Sequence, residues 1–247
     1  MPALHGGQVD STPAAPIRAM FDRLAGVYDL MNTVMSAGLH RRWRARAADL
    51  ARLTPGDRVL DVATGTGDLA FELARRVGPG GEVIGCDFAE AMLSRARAKA
   101  DAIGDEGPGR PGPVRFEWAD ALDLPYADGD FDAVTVGFGV RNFTDVPRGL
   151  RELARVVRPG GRVVVLEITT PTKPPLSLFY RLWFDRVVPA IGLLTGSGDA
   201  YAYLPRSVQG FLSPAALAGA MGDAGLTDIS YLITAGSIIA IHAGTVS

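Results

Sequence analysis

Apolar residues recur at helical spacing between Ile17 and Leu53, with Met20, Leu24 and Val27 as one set and Leu30, Met31 and Val34 as the next. Gly26, Ser36 and Gly38 interrupt them, so two or more short helices are predicted ahead of the main domain. The period then changes. Short apolar runs bounded by turn residues alternate with amphipathic stretches: a strand over 58–61, a helix over 68–77, a strand over 82–86 and a helix over 90–103. Residues 104–113, GDEGPGRPGP, hold too much Gly and Pro for either element and read as a surface loop. Strands over 114–118 and 131–136 follow, then a helix from about 146 to 157, a Pro159-Gly160-Gly161 turn and a strand over 162–168. Residues 174–212 read as helical with aromatic interruptions. Ser213-Pro214 is an N-cap and N1 pair opening a helix to Gly222. The end of the chain, 229–233 and 236–243, predicts two strands in an antiparallel hairpin at a sheet edge.

This order describes one α/β domain over 16–247 after a mobile tail of 15 residues. Within it, 16–53 is an N-terminal helical lid, 54–168 a ligand-binding core, 169–212 a helical insertion and 213–247 a closing helix and hairpin. The 247 residues are 47% hydrophobic and 21% charged, with mean hydropathy +0.15, which excludes a disordered chain. The most apolar stretch, 176–194, contains Arg181, Asp185 and Arg186, so no membrane span is expected. A net charge of −2 offers no global field for nucleic acid or an anionic bilayer. The single Cys86 forms no internal disulfide and reads as a core residue. No targeting segment opens the chain, so a cytoplasmic location is expected. No Cys or His cluster suggests a metal.

The chemistry concentrates in residues 59–70, VLDVATGTGDLA, an apolar strand running through a glycine turn into a helix. Gly65 and Gly67 let the backbone approach a ligand closely, and Asp87 ends the next strand, where a carboxylate can grip ribose hydroxyls. A nucleoside ligand follows. Gly65, Gly67 and Ala70 also satisfy the dinucleotide fingerprint, so NAD and S-adenosylmethionine both remain open from the glycines alone. Asp61 and Asp68 favour the second, because a carboxylate repels pyrophosphate and attracts an ammonium or a sulfonium. The plainer alternative makes Asp61 and Asp68 caps for the turn and Asp87 a cap for the helix after it. Asp120-Ala121 follows the third strand, at the sheet edge where an adenine would lie.

Several further segments resemble the ubiquinone/menaquinone biosynthesis C-methyltransferase family. Residues 28–32, YDLMN, with Ser36, His40 and Trp43, match its N-terminal signature, and 155–169, RVVRPGGRVVVLEIT, match its second, with Arg158 for the usual Lys and Thr169 for the usual Ser. Residues 138–142, FGVRN, resemble its FGxRN segment, and 199–204, DAYAYL, its Tyr-x-Tyr-Leu. The resemblance implies a class I S-adenosylmethionine-dependent methyltransferase fold, Rossmann-like, with a seven-stranded mostly parallel sheet. It also implies cofactor contacts at Thr66, Asp87, Asp120 and Ala121. Where many members carry a cofactor-touching Ser before the FG, this chain has Gly137, which leaves a backbone contact only.

The implied reaction is methylation of a ring carbon of a reduced polyprenyl quinone. Demethylmenaquinol is preferred on the Arg-, Ala- and Gly-rich composition and on likeness to actinobacterial members; the methoxy-benzoquinol precursor of ubiquinone is the alternative. An NAD-dependent oxidoreductase and a nucleoside-binding scaffold without catalysis are more distant readings. Arg141 is a candidate partner for a developing phenolate, or else one half of a surface ion pair, and Asn142 can orient the same oxygen. Tyr28, Asp29 and Asn32 belong to the lid, Tyr28 and Asp29 counting among the candidate catalytic residues, with capping and packing as the alternative roles. His40 titrates in the useful range and is the candidate base, a buried His satisfied by a carboxylate being the alternative. Tyr201 and Tyr203 are equally wall or catalyst. Residues 176–194 are expected to form an apolar channel or an interfacial patch for the prenyl tail, giving peripheral membrane association; a buried helix or homodimer surface is the alternative. The expected partner is a lipid-soluble quinol, with no nucleic acid.

Overall fold

The computed structural model describes residues 18–20, 22, 29, 33, 36, 38–103, 111–171, 174–175, 177–178, 182, 186 and 207–247. The tail 1–15, Tyr28, Asn32, Tyr201, Tyr203 and most of 176–194 lie outside them.

In chain order the described elements are α1 (His40–Leu50), β1 (Arg58–Val62), α2 (Asp68–Val77), β2 (Glu82–Asp87), α3 (Glu90–Ile103), β3 (Val114–Trp118), β4 (Phe131–Gly137), a 3-10 turn (Val140–Asn142), α4 (Val146–Arg155), β5 (Val157–Ile168), α5 (Pro214–Asp223), β6 (Leu226–Thr234), a 3-10 turn (Ala235–Ser237) and β7 (Ile239–Val246). The seven strands form one sheet in the order β3-β2-β1-β4-β5-β7-β6. The first five are parallel, and β7 runs antiparallel between β5 and β6. The chain steps outward from β1 to β3, then returns to place β4 on the other side of β1. That reversal opens a crevice above the carboxyl ends of β1 and β4.

Strand alternation builds a core on each face. Leu60, Val62, Val134, Val136, Val163 and Val165 pack against Leu150 and Leu153 of α4 and Leu217 and Met221 of α5. Val59, Val83, Ala133, Val164 and Leu166 pack against Ala47 and Ala48 of α1, Leu69 and Leu73 of α2 and Leu93 of α3. Burial on both faces is why the central strands read as near-continuous apolar runs.

Local chemistry sets the helix starts. Asp145 caps α4 by accepting from the Arg148 N–H at 2.9 Å. Ser213 caps α5 by accepting from the Ala216 N–H at 3.3 Å, with Pro214 at the first helical position.

Element boundaries shift in two places. The Pro159-Gly160-Gly161 segment predicted as a turn lies inside β5 as a bulge: Phe131 pairs with Val157 and Ala133 with Arg162, and Gly160 has φ +79°. Of the closing strands, β6 begins earlier than predicted and β7 both begins and ends later. Ala235, Gly236 and Ser237 all take positive φ in a tight turn, so β7 begins at Ile239, and the pairing of Leu226 with Val246 extends both strands at their other ends.

Candidate active site

A cavity of 310 Å³ opens at the carboxyl edge of the sheet. Its walls come from the segment after each of four strands: Ala63 and Gly65 after β1, Asp87 and Phe88 at β2, Trp118 to Leu122 at β3, and Gly137 to Gly139 with Asn142 at β4. Met92 of α3 and Arg18 complete the side walls. A recess of 20 Å³ shares Ala63, Gly65 and Gly137 with it and is lined by Arg44, Asp61, Thr64, Thr66 and Asp68. Gly65, Asp87, Asp120, Ala121, Gly137 and Asn142 thus lie on the cavity, and Asp61 and Thr66 on the recess. Gly67 lies on neither. It enters α2 with φ +83°, and a Cβ there would stand 2.7 Å from the Phe116 ring. Two non-glycine residues on the rim, Ala63 and Phe138, also hold left-handed backbone, at φ +53° and +63°.

Strand register explains the burial of Asp61. It pairs across β4 with Thr135 and across β2 with Gly85. The Thr135 hydroxyl donates to its Oδ1 at 2.6 Å. On the other side Gly85 has no side chain, and the Thr64 hydroxyl reaches into that region to donate to Asp61 Oδ2 at 2.6 Å; a Cβ on Gly85 would meet that hydroxyl at 2.9 Å. Burial pushes the carboxyl up to about 6, the two hydroxyl bonds pulling the other way. Asp87 is similar. One oxygen accepts from the Gly65 N–H at 2.9 Å and the other from the Ala89 N–H at 2.9 Å. Burial raises its carboxyl to about 6 against those backbone bonds. The bond to Ala89 closes a turn just ahead of α3 and is not a cap on that helix, so Asp87 keeps its place on the cavity wall without the capping role.

Asp68 does not cap α2, whose first turn is entered through Gly67 with no side-chain cap. It binds Lys99 at 2.8 Å and Arg44 at 3.0 Å. Burial opposes its ionisation, yet those two cations hold it below the ordinary carboxylate range. Lys99 also pairs with Asp29 at 2.6 Å, and the Thr66 hydroxyl donates to Asp29 at 2.6 Å. Asp29 therefore touches the glycine turn, not the cavity wall.

Like Asp29, which was expected to be catalytic, two further expected catalytic groups stand away from the cavity. His40 is buried and does not line the cavity. Arg44, which only donates, faces its Nδ1, so the proton sits on Nε2, 3.3 Å from the Thr33 hydroxyl. Burial and the Arg44 charge lower its pKa, and the ring is held by a hydroxyl and a guanidinium where a carboxylate had been the alternative. Arg141 is not a surface group: its guanidinium donates to Glu167 Oε1 at 2.7 Å and to the Phe138 carbonyl. Of the FGVRN segment, Phe138, Gly139 and Asn142 face the cavity.

Sequence reasoning missed Trp118, Thr64 and Thr135. Trp118 lines the cavity while 53% exposed, its indole N–H donating to the Phe88 carbonyl at 3.0 Å; an aromatic directly before the Asp120 segment was the available signal. Thr135, a lone hydroxyl inside the apolar run of β4, was another.

A model of the ubiE/COQ5 methyltransferase family matches residues 9–246. The chain is 51% identical over 226 residues to the demethylmenaquinone methyltransferase of Thermus thermophilus, covering 91% of this chain and 99% of that one. It is 40% identical over 247 residues to the ubiquinone/menaquinone biosynthesis C-methyltransferase UbiE of Ectopseudomonas mendocina, covering 98% and 94%. Among solved structures, an S-adenosylmethionine-dependent methyltransferase from Thermotoga maritima superposes with a TM-score of 0.60 at 20% identity, covering 93% of this chain and 99% of that one, which is a likeness of fold.

Proposed function

The chain belongs to the ubiE/COQ5 methyltransferase family, and from that membership we propose that it methylates a ring carbon of demethylmenaquinol to give menaquinol. S-adenosylmethionine-dependent methyl transfer in quinone biosynthesis comes with the family, and the hydride-transfer reading is set aside. The choice of quinone has its own support. The relative at 51% identity is named for demethylmenaquinone, and the joint ubiquinone/menaquinone name appears at 40%.

The residues present fit the methyl donor. Among the described residues, the cavity wall carries the carboxylates of Asp87 and Asp120 and one basic side chain, Arg18. The recess adds Asp61 and Asp68. The Gly65 N–H, which a pyrophosphate would need, is already given to Asp87. Asp87 would hold the ribose hydroxyls, Asp120 and Ala121 would flank the adenine, and the recess around Asp61 would receive the positively charged amino-acid end. Bound there, the donor supplies an electrophilic methyl group on a cationic sulfur.

A ring carbon conjugated to a hydroxyl becomes nucleophilic as that hydroxyl loses its proton. The new carbon–methyl bond would form as the sulfur–methyl bond breaks, leaving a neutral thioether, and the methylated carbon would then lose its ring proton to solvent. The protein must therefore hold the ring in line and favour the ionised oxygen. Asn142 is the polar side chain of the FGVRN segment on the wall, and it would orient that oxygen. Phe138, Phe143, Met92 and Leu122 supply apolar wall that keeps water from the reacting carbon.

The same reading extends to location. A polyprenyl substrate resides in lipid, and no described helix is long and apolar enough to cross a membrane. Leu178 and Leu182, four residues apart, are 61% and 60% exposed. We place the protein in the cytoplasm, with this stripe touching the inner face of the plasma membrane.

A methyl-transfer assay offering reduced demethylmenaquinone and the reduced methoxy-benzoquinone side by side tests the choice of quinone. The expected result is faster transfer to demethylmenaquinol. Equal or faster transfer to the benzoquinol overturns it.

A further inference from the structure

Glu167 stands near the carboxyl end of β5, directly after the fully buried Leu166, with its own side chain 2% exposed. Both of its oxygens are committed to one residue. Oε1 accepts from Arg141 Nη1 at 2.7 Å, and Oε2 accepts from the Arg141 backbone N–H at 3.3 Å. Oε1 also takes the Ile168 N–H at 2.9 Å. The Arg141 side chain is 6% exposed, and its Nη1 reaches back to the carbonyl of Phe138.

That carbonyl belongs to a backbone under strain. Phe138 has φ +63°, a conformation an L-aromatic residue keeps only when its surroundings enforce it. Two donors converge on its oxygen, Arg141 Nη1 and, at 3.5 Å, Asn142 Nδ2. On the other side the Phe138 N–H donates to the Leu166 carbonyl at 2.7 Å, one residue before Glu167. Phe138, Gly139 and Asn142 line the cavity, whereas Glu167 and Arg141 stand behind them.

A buried ion pair adds little net stability over apolar residues of the same volume, and losing one partner leaves a stranded charge. Its value here is positional. We propose that Glu167 is a positioning residue for methyl transfer: by holding both the backbone and the guanidinium of Arg141, it locks the 138–142 turn in its left-handed entry and aims Asn142 at the ring oxygen of the acceptor. The chemistry of this inference rests on the proposed function, while the turn geometry does not.

Glu167→Gln keeps the shape and one carbonyl oxygen and removes the charge. Displacing an orienting group by about an ångström should lower kcat on the order of 100-fold, with the dissociation constant for S-adenosylmethionine within about twofold of the wild type. Glu167→Asp, which restores the charge, should recover part of the loss. Glu167→Gln combined with Arg141→Gln should be no slower than Arg141→Gln alone, since the first acts through the second. Hydrogen exchange measured on a peptide containing 138–142 should quicken in Glu167→Gln and stay unchanged in the other sheet strands.

Unchanged kcat or unchanged exchange in Glu167→Gln overturns the proposal. So does a fall in cofactor affinity matching the fall in kcat, or additive losses in the double variant. Wild-type protein inactive on both reduced quinones would instead defeat the functional reading, and the exchange experiment would still decide whether Glu167 holds the turn.

Discussion

Asp61 and Asp87 carry opposing demands that pH can separate. Their carboxyls sit near 6 against an ordinary value of 3.8, because burial disfavours the charge. Between about pH 4 and pH 6 the folded state binds protons that the unfolded state does not. The contribution of these two groups to stability therefore rises as pH falls through that window and is lost as pH climbs above it. A cationic methyl donor needs the ionised forms, so its affinity runs the other way. Titration calorimetry of S-adenosylmethionine should show binding tighten through pH 6, by up to about tenfold per pH unit for each coupled carboxyl, and level off above it. Asp61→Asn should weaken binding and flatten this dependence. Asp87→Asn, which removes charge-assisted bonds to the ribose, should weaken binding about 10- to 100-fold, in line with ~1.5–3 kcal/mol for a hydrogen bond to a charged group. Asp87→Asn binding as tightly as wild type would put the ribose elsewhere.

The elements divide between those that only build the scaffold and those that also shape the site. Leu73 of α2 is fully buried in the core on one face of the sheet and lines neither the cavity nor the recess. Leu73→Ala should cost about 2–5 kcal/mol in urea unfolding while leaving cofactor affinity close to wild type. Gly85 of β2 is different. A Cβ there would stand 2.7 Å from the Phe116 ring and 2.9 Å from the Thr64 hydroxyl that donates to Asp61. The Phe116 ring is itself packed edge-on against Phe71 at 5.6 Å, so it cannot simply swing away. Gly85→Ala should lower stability and cofactor affinity together, and an unchanged affinity would mean that Thr64 does not hold Asp61 in its working position. The short elements around the site were readable in part. The helix starts at Asp145 and Ser213 follow local capping rules, whereas the bulge in β5 depends on which residues of β4 it meets.

For the whole molecule, much of the apolar composition among the described residues lies in the sheet, covered on both faces. Some of it is exposed, and Leu178 and Leu182 are the most exposed large hydrophobics described. Leu178→Glu with Leu182→Glu should reduce co-sedimentation with phosphatidylglycerol-containing vesicles and spare cofactor binding, and undiminished sedimentation of the folded variant would remove the membrane contact. Much of this protein was legible in its sequence. The order of strands and helices, the glycine turn after β1, and the acids at the ends of β1 and β2 all follow from periodicity, turn chemistry and residue type, which act over a few neighbouring positions. Partners far apart in the chain were not legible. Thr135 meets Asp61 across 74 residues because β4 and β1 pair in one register. Glu167 claims Arg141 across 26, making an internal brace of the residue expected at the phenolate. His40, expected as the base, turns to Arg44 and Thr33 behind the glycine turn. The sequence by itself determined the fold and the chemical character of the site. The tertiary structure decided which side chains face the cavity, because strand register and competition for buried hydrogen bonds are set between segments that no local pattern connects.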